Sequence, residues 1–232
     1  MLFSSSPIRR RTFSCMRGDL TIRGTEYRPN GEKFPIAIVC HGFMANQQTV
    51  RQYARVLAKI GYCAYCFDFC GGSVPPLQSL PYTSDTLLLM GCSQGGMVSA
   101  LTAAKHPDAV DRLVLFYPAF CIPDDARVGH MMMAHFDPQN LPEKIHCGPM
   151  PLGRCYPEAV MHMDVFREIT PYTGRVLIVH GTADGIVKPD YAKKAAEAYA
   201  NAELHLIDGG AHGFNRRHDA EAIRYLTAFA AL

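Results

Sequence analysis

The sequence predicts an α/β fold: a doubly wound, mostly parallel sheet in a single domain spanning residues 1–232. Three observations carry this expectation. Short continuous apolar runs alternate almost throughout with stretches of helical period. The runs have the length and β-branched content of strands buried on both faces. The chain, 232 residues and 48% hydrophobic, can bury one sizeable core.

The elements follow in order. Thr12 to Ser14 and Leu20 to Ile22 read as a short hairpin turning at Arg17-Gly18-Asp19, and Arg28-Pro29-Asn30-Gly31 as a turn. Pro35 to Cys40 is a buried strand ending at His41-Gly42. Gln48 to Ile60 is an amphipathic helix with Tyr53, Val56, Leu57 and Ile60 on one face, closed by Gly61. Tyr62 to Phe69 and Thr86 to Met90 are the next strands, the latter ended by Gly91. Gln94 to Lys105 is a helix stopped by His106-Pro107. Strands follow at Arg112 to Tyr117, Val176 to Val179 and Glu203 to Ile207, with helices at Tyr191 to Tyr199 and Ala220 to Ala231. Asp190, after Pro189, reads as a helix cap. One segment breaks the rhythm. Phe120 to Arg175 holds seven Pro, four His, six Met and no clear strand. It is too long for an ordinary loop, which points to an inserted cap or lid (residues 120–175) of short helices over one end of the sheet.

Composition excludes several classes of function. A net charge of +2 and one basic run, Arg9-Arg10-Arg11, argue against a nucleic-acid or membrane-surface partner. No run reaches the roughly 18 apolar residues of a bilayer span. The first eleven residues lack a signal-peptide pattern, and nine scattered Cys suit free thiols in a cytoplasmic setting. Cys63-Ala64-Tyr65-Cys66 has metal-ligand spacing, but on a strand its two thiols face opposite ways, so no metal is expected.

The chemistry is carried by Gly91-Cys92-Ser93-Gln94-Gly95-Gly96, a G-x-S-x-G pattern between a strand and a helix. Small residues let the backbone turn sharply and project the Ser93 hydroxyl beside a helix N-terminus, which favours developing negative charge. A nucleophilic Ser needs a base, and the base needs an orienting carboxylate. Val179-His180-Gly181-Thr182-Ala183-Asp184 offers Asp184, and Gly210-Ala211-His212 offers His212, each in a loop after a strand. His180 is expected to hold the acid loop, and Asp208 to act at most from behind His212. An oxyanion needs two backbone N–H groups. Gln94, after the nucleophile, supplies one, and Phe43 of His41-Gly42-Phe43 the other, with His41 organising that loop.

These motifs resemble the bacterial α/β-hydrolases that include the cinnamoyl and feruloyl esterases of gut bacteria. The similarity extends into the insertion at Phe136-Asp137-Pro138-Gln139-Asn140-Leu141-Pro142-Glu143 and covers most of the chain from about Asp19 onward. It implies a serine carboxylic ester hydrolase that forms an acyl-enzyme on hydroxycinnamate or similar small esters and uses no cofactor. It also implies a lid whose acidic residue and Tyr contact the phenolic ring; by position these are Glu143 and Tyr156. A helix-start charge and a packed aromatic remain the alternative readings of those two residues. A peptidase or lipase on the same fold, and a catalytically impaired relative, also stay open.

One departure from the resemblance concerns Gly71 to Ser84. Relatives carry a full helix there, whereas four residues between Pro76 and Pro81 leave room for about one helical turn. A parallel crossover needs about a dozen residues, so the connection is minimal. Either a second copy of the chain covers the exposed face, as in a homodimer, or the fold is less stable than its relatives.

Overall fold

A computed structural model describes residues 7–69, 86–148 and 150–231. Eight strands form the main sheet: β1 (Arg9–Arg17), β2 (Leu20–Arg28), β3 (Ile36–Cys40), β4 (Cys63–Phe67), β5 (Leu87–Cys92), β6 (Arg112–Phe116), β11 (Arg175–Gly181) and β12 (Ala202–Ile207). Their spatial order is β1-β2-β4-β3-β5-β6-β11-β12. The β1–β2 and β2–β4 pairs are antiparallel and the rest are parallel. The mostly parallel α/β sheet expected from the sequence is therefore present.

Period-two alternation splits each central strand between two cores. Ile36, Ile38 and Cys40 of β3 and Leu87 and Leu89 of β5 face one side. Ala37, Val39, Leu88, Met90 and Cys92 face the other. Helix α1 (Arg51–Lys59) and the closing α7 (Arg216–Phe229) cover the second face with Tyr53, Leu57, Ala222 and Leu226. Each fully buried leucine there contributes roughly 2 kcal/mol. Helix α2 (Gln94–Lys105) and α6 (Pro189–Ala198) cover the first face with small residues, Ala100, Ala103, Ala192 and Ala195, which let helix and sheet approach closely. Cys63 and Cys66 fall in opposite cores, as the strand reading required. Among the described residues no group of His, Cys, Asp and Glu is arranged to hold a metal, and no helix is long and apolar enough to cross a membrane.

Several boundaries differ from the sequence reading. The hairpin is longer than expected because its antiparallel register continues from Arg17↔Leu20 to Arg9↔Arg28. β5 runs through Gly91 to Cys92, since Gly91 still pairs with Leu115 of β6. Asp190 lies in the first turn of α6 and bonds Lys193, while Lys188 holds the cap position. The segment read as strandless contains two small hairpins, β7 (His130–Met131) with β8 (Ala134–His135) and β9 (Lys144–Cys147) with β10 (Met150–Gly153). Short helices α3 (Ile122–Val128), α4 (Cys155–Val160) and α5 (Val165–Glu168) accompany them. Strands of two to four residues leave little alternation to read. The crossover at 71–84, and with it the question of a covered face, lies outside the described residues.

The strand order places the site. From β3 the chain passes to α1 on one face, and from β5 to α2 on the other. The adjacent C-terminal ends of β3 and β5 thus form a switch point, where open α/β sheets leave a crevice.

Candidate active site

Ser93 sits between β5 and α2 with φ 55° and ψ −123°, a backbone state that a non-glycine residue rarely adopts. Its neighbours explain how the turn closes. A Cβ on Gly91 would lie 2.1 Å from the Gly95 carbonyl oxygen, and one on Gly95 would lie 2.3 Å from that of His41. Only hydrogen fits at either place. The Ser93 amide donates to the Phe116 carbonyl (3.0 Å), tying the turn to β6.

The loops after β11 and β12 bring two side chains to Ser93. His212 Nε2 lies 2.9 Å from Ser93 Oγ, and His212 Nδ1 lies 2.8 Å from Asp184 Oδ2. An Nδ1–H donated to the carboxylate leaves Nε2 free to accept the Ser93 hydroxyl proton. Gly181 and Gly210 let these two loops touch, since a Cβ on Gly181 would meet the Gly210 carbonyl oxygen at 2.0 Å.

Asp184 is buried. Oδ1 accepts the Ile186 and Val187 amides (both 2.9 Å), while Oδ2 lies 3.2 Å from His180 Nε2 as well as against His212. Burial works against the carboxylate, but the bonds from His180, His212 and the Val187 amide outweigh it and hold the Asp184 pKa well below the usual range. A pKa depressed by folding adds stability above the unfolded value, about 4, and loses it as pH falls toward the folded one. Thermal unfolding followed from pH 6 to pH 2 therefore shows a larger loss for the wild type than for Asp184→Asn, by on the order of 1–3 kcal/mol. Parallel curves would refute this account of Asp184.

His41 holds the loop after β3, as the sequence suggested. Its Nδ1 lies 2.8 Å from the Gly42 carbonyl oxygen and its Nε2 accepts the Phe69 amide at 3.2 Å. Burial lowers its pKa, so it stays neutral near pH 7. Phe43 and Gln94 both line the cavity at Ser93. Among the described residues no acceptor takes either main-chain N–H, as expected for Gln94 at the first position of a helix.

The cavity is walled mainly by apolar side chains such as Ile122, Met131, Leu152 and Ile186. Besides Ser93 and Gln94, three polar groups enter it. Tyr156 does, and its hydroxyl accepts a hydrogen bond from Gln94 Nε2 at 2.8 Å. Cys121 and Asp125 are the others, the thiol beside the carboxylate. Burial raises the Asp125 pKa. Glu143 is absent from the cavity lining, which corrects the expectation for it. It is exposed just before β9, and its carbonyl accepts the Arg154 amide at 3.1 Å. Sequence reasoning misses Asp125 because Pro123-Asp124-Asp125 reads as ordinary helix-start charge; nothing in that spacing shows that one acid faces a cavity.

All five non-glycine residues with positive φ among the described residues border this region: Met44, Ser93, Tyr117, Met132 and Phe214. Each such state costs on the order of 1–3 kcal/mol, and such strain gathers at functional sites.

Neither a family model nor a curated protein matches the sequence. Solved structures do. Est1E from Butyrivibrio proteoclasticus superposes with a TM-score of 0.85 at 24% identity, covering 94% of this chain and 96% of that one. The same protein with ferulic acid bound gives 0.78 at 23%, over 98% and 97%. Mouse alpha/beta hydrolase domain-containing protein 10 gives 0.69 at 17%, over 94% and 96%. The chain has the α/β-hydrolase fold. The esterase domain of a Rhodothermus marinus protein is also similar, at TM-score 0.72 and 20% identity over 96% and 97%. Ser93 lies in the strand-to-helix turn after β5, and Asp184 and His212 follow it along the chain in loops after β11 and β12.

Proposed function

We propose that the chain is a serine carboxylic ester hydrolase acting through an acyl-enzyme on hydroxycinnamate or similar small esters. The observation that carries this reading is the hydrogen-bonded line Ser93–His212–Asp184 opening into an apolar cavity. His212 takes the Ser93 proton as Oγ attacks the ester carbonyl, and Asp184 holds the imidazole tautomer. The unspent Phe43 and Gln94 amides stabilise the oxyanion. The protonated imidazole then gives its proton to the leaving alcohol. Water attacks the acyl-enzyme with His212 again as base. No step needs a metal or an organic cofactor.

The likeness to a protein that binds ferulic acid supports an aromatic acyl group. The apolar cavity suits its ring, and residues 120–175, which supply much of the wall, act as the lid. Asp125 and Tyr156 are the polar groups placed to meet ring hydroxyls, with Asp125 in the role that the sequence suggested for Glu143. A hydrogen bond to a charged group contributes about 1.5–3 kcal/mol, so Asp125→Asn raises the KM for methyl ferulate roughly tenfold or more. The KM for methyl cinnamate, which lacks the ring hydroxyl, stays within about twofold, as do both values in Glu143→Gln. Equal effects of Asp125→Asn on the two esters would remove it from that role. The function itself is tested with a panel of hydroxycinnamate esters, p-nitrophenyl acyl esters and aminoacyl amides, together with fluorophosphonate labelling. Labelling at Ser93 with cleavage of the esters supports the reading. Turnover confined to amides, or no labelling of folded protein, overturns it.

A further inference from the structure

Two hydrogen bonds hold the His212 ring at Nδ1 and Nε2, but they leave it free to tilt about the line joining those atoms. One of them also disappears once Ser93 Oγ is acylated. A third constraint is present in the structure. The Tyr117 ring packs across the imidazole at 4.9 Å between centroids and 62° between planes. Tyr117 follows β6 with φ 37°, and its amide donates to the Val179 carbonyl of β11 at 2.8 Å. Phe214, two residues after His212 and also at positive φ, stands perpendicular to Tyr117 at 4.9 Å. The Tyr117 hydroxyl lies beside the Cys92 thiol and the Tyr53 hydroxyl. Tyr53, on α1, in turn donates to Asp219 in the first turn of α7, the helix into which the His212 loop runs.

We propose that Tyr117 is a positioning residue for His212, its ring setting the tilt of the imidazole and its hydroxyl anchoring that ring to α1 and α7. This rests on the esterase reading above. It goes beyond that reading by naming a group outside the Ser93–His212–Asp184 line on which turnover depends. The strained backbone at Tyr117 is then explained by the ring position it permits.

The test compares p-nitrophenyl acetate hydrolysis in Tyr117→Leu, Tyr117→Phe and Tyr62→Leu. The last is a fully buried tyrosine whose hydroxyl bonds the Ala230 carbonyl, away from His212. Because small misplacements of a reacting group can cost about 100-fold, Tyr117→Leu lowers kcat roughly 30- to 100-fold with KM within about twofold. Phenylalanine keeps the ring and restores kcat to within about fivefold of wild type, and Tyr62→Leu leaves kcat unchanged while lowering stability. A folded Tyr117→Leu with kcat within about threefold of wild type overturns the proposal. If leucine unfolds the chain, Tyr117→Phe and Tyr53→Phe decide it. Each cuts the hydroxyl anchor, so kcat falls a few-fold and the His212 Nδ1–H proton exchanges with water faster by NMR. Unchanged kcat and exchange in both overturn it. Failure of the esterase reading looks different: the wild-type chain hydrolyses no ester, or Ser93→Ala keeps its activity. In that case the proton-exchange rates alone judge Tyr117.

Discussion

Ser93→Ala lowers kcat/KM for p-nitrophenyl acetate by about 10⁴-fold or more, while the thermal midpoint moves by only a few degrees. The size of the loss follows from the geometry. Oγ is the only atom of the Ser93–His212–Asp184 line that meets the ester carbon, so no partial mechanism replaces it. A residual rate above water comes from the amides and the cavity, which the substitution leaves in place. The small stability effect follows because alanine fits the same space at the same φ of 55°, and the Ser93 amide still bonds the Phe116 carbonyl. The variant also fails to label with a fluorophosphonate. Activity within tenfold of wild type would end the acyl-enzyme reading, because among the described residues His212 is bonded to no nucleophile but Ser93.

Gly91→Ala destabilises the fold by about 3 kcal/mol or more and removes ester hydrolysis even where folded protein is recovered. The added methyl would lie 2.1 Å from the Gly95 carbonyl oxygen and 2.4 Å from its carbon. Those are backbone atoms in the first turn of α2, so no side-chain rotation relieves the clash. Either β5 shifts relative to β6 or α2 moves outward, and both displace Ser93 and the Gln94 amide from His212. Gly185→Ala is the matched control: it lies one residue from Asp184, yet nothing stands within 4 Å of its Cβ position. It changes stability by less than about 1 kcal/mol. Urea unfolding of the three proteins checks both statements. A Gly91→Ala protein as stable and active as wild type would show that the elbow is not held by this contact.

Much of the site is legible in the sequence because its parts are local. Gly91-Cys92-Ser93-Gln94-Gly95 announces itself through the backbone state it needs, and Asp184 and His212 through short turns at strand ends. The strands are legible for a related reason: sheets covered on both faces need continuous apolar runs, and β3 to β6 are such runs. The placement of Glu143 is not legible in this way. A residue's place in a cavity wall depends on how an irregular segment packs, and the insertion's strands are only two to four residues long. Asp125 is hidden in the same way. As one of two adjacent acids at a helix start, it differs from Asp124 only in which side of α3 it occupies. Asp124 turns to Arg127 and Tyr191, and Asp125 to Cys121 and the cavity.

The sequence by itself determined the fold class and picked out Ser93, Asp184 and His212 as the candidate nucleophile, acid and base, because each depends on backbone preferences and on the spacing of a few residues. Only the tertiary structure decided which groups share the cavity with them and that Tyr117 lies across His212. Those relations join residues up to a hundred or more positions apart. No local preference encodes them; they exist only once both cores have packed and fixed the strand ends side by side.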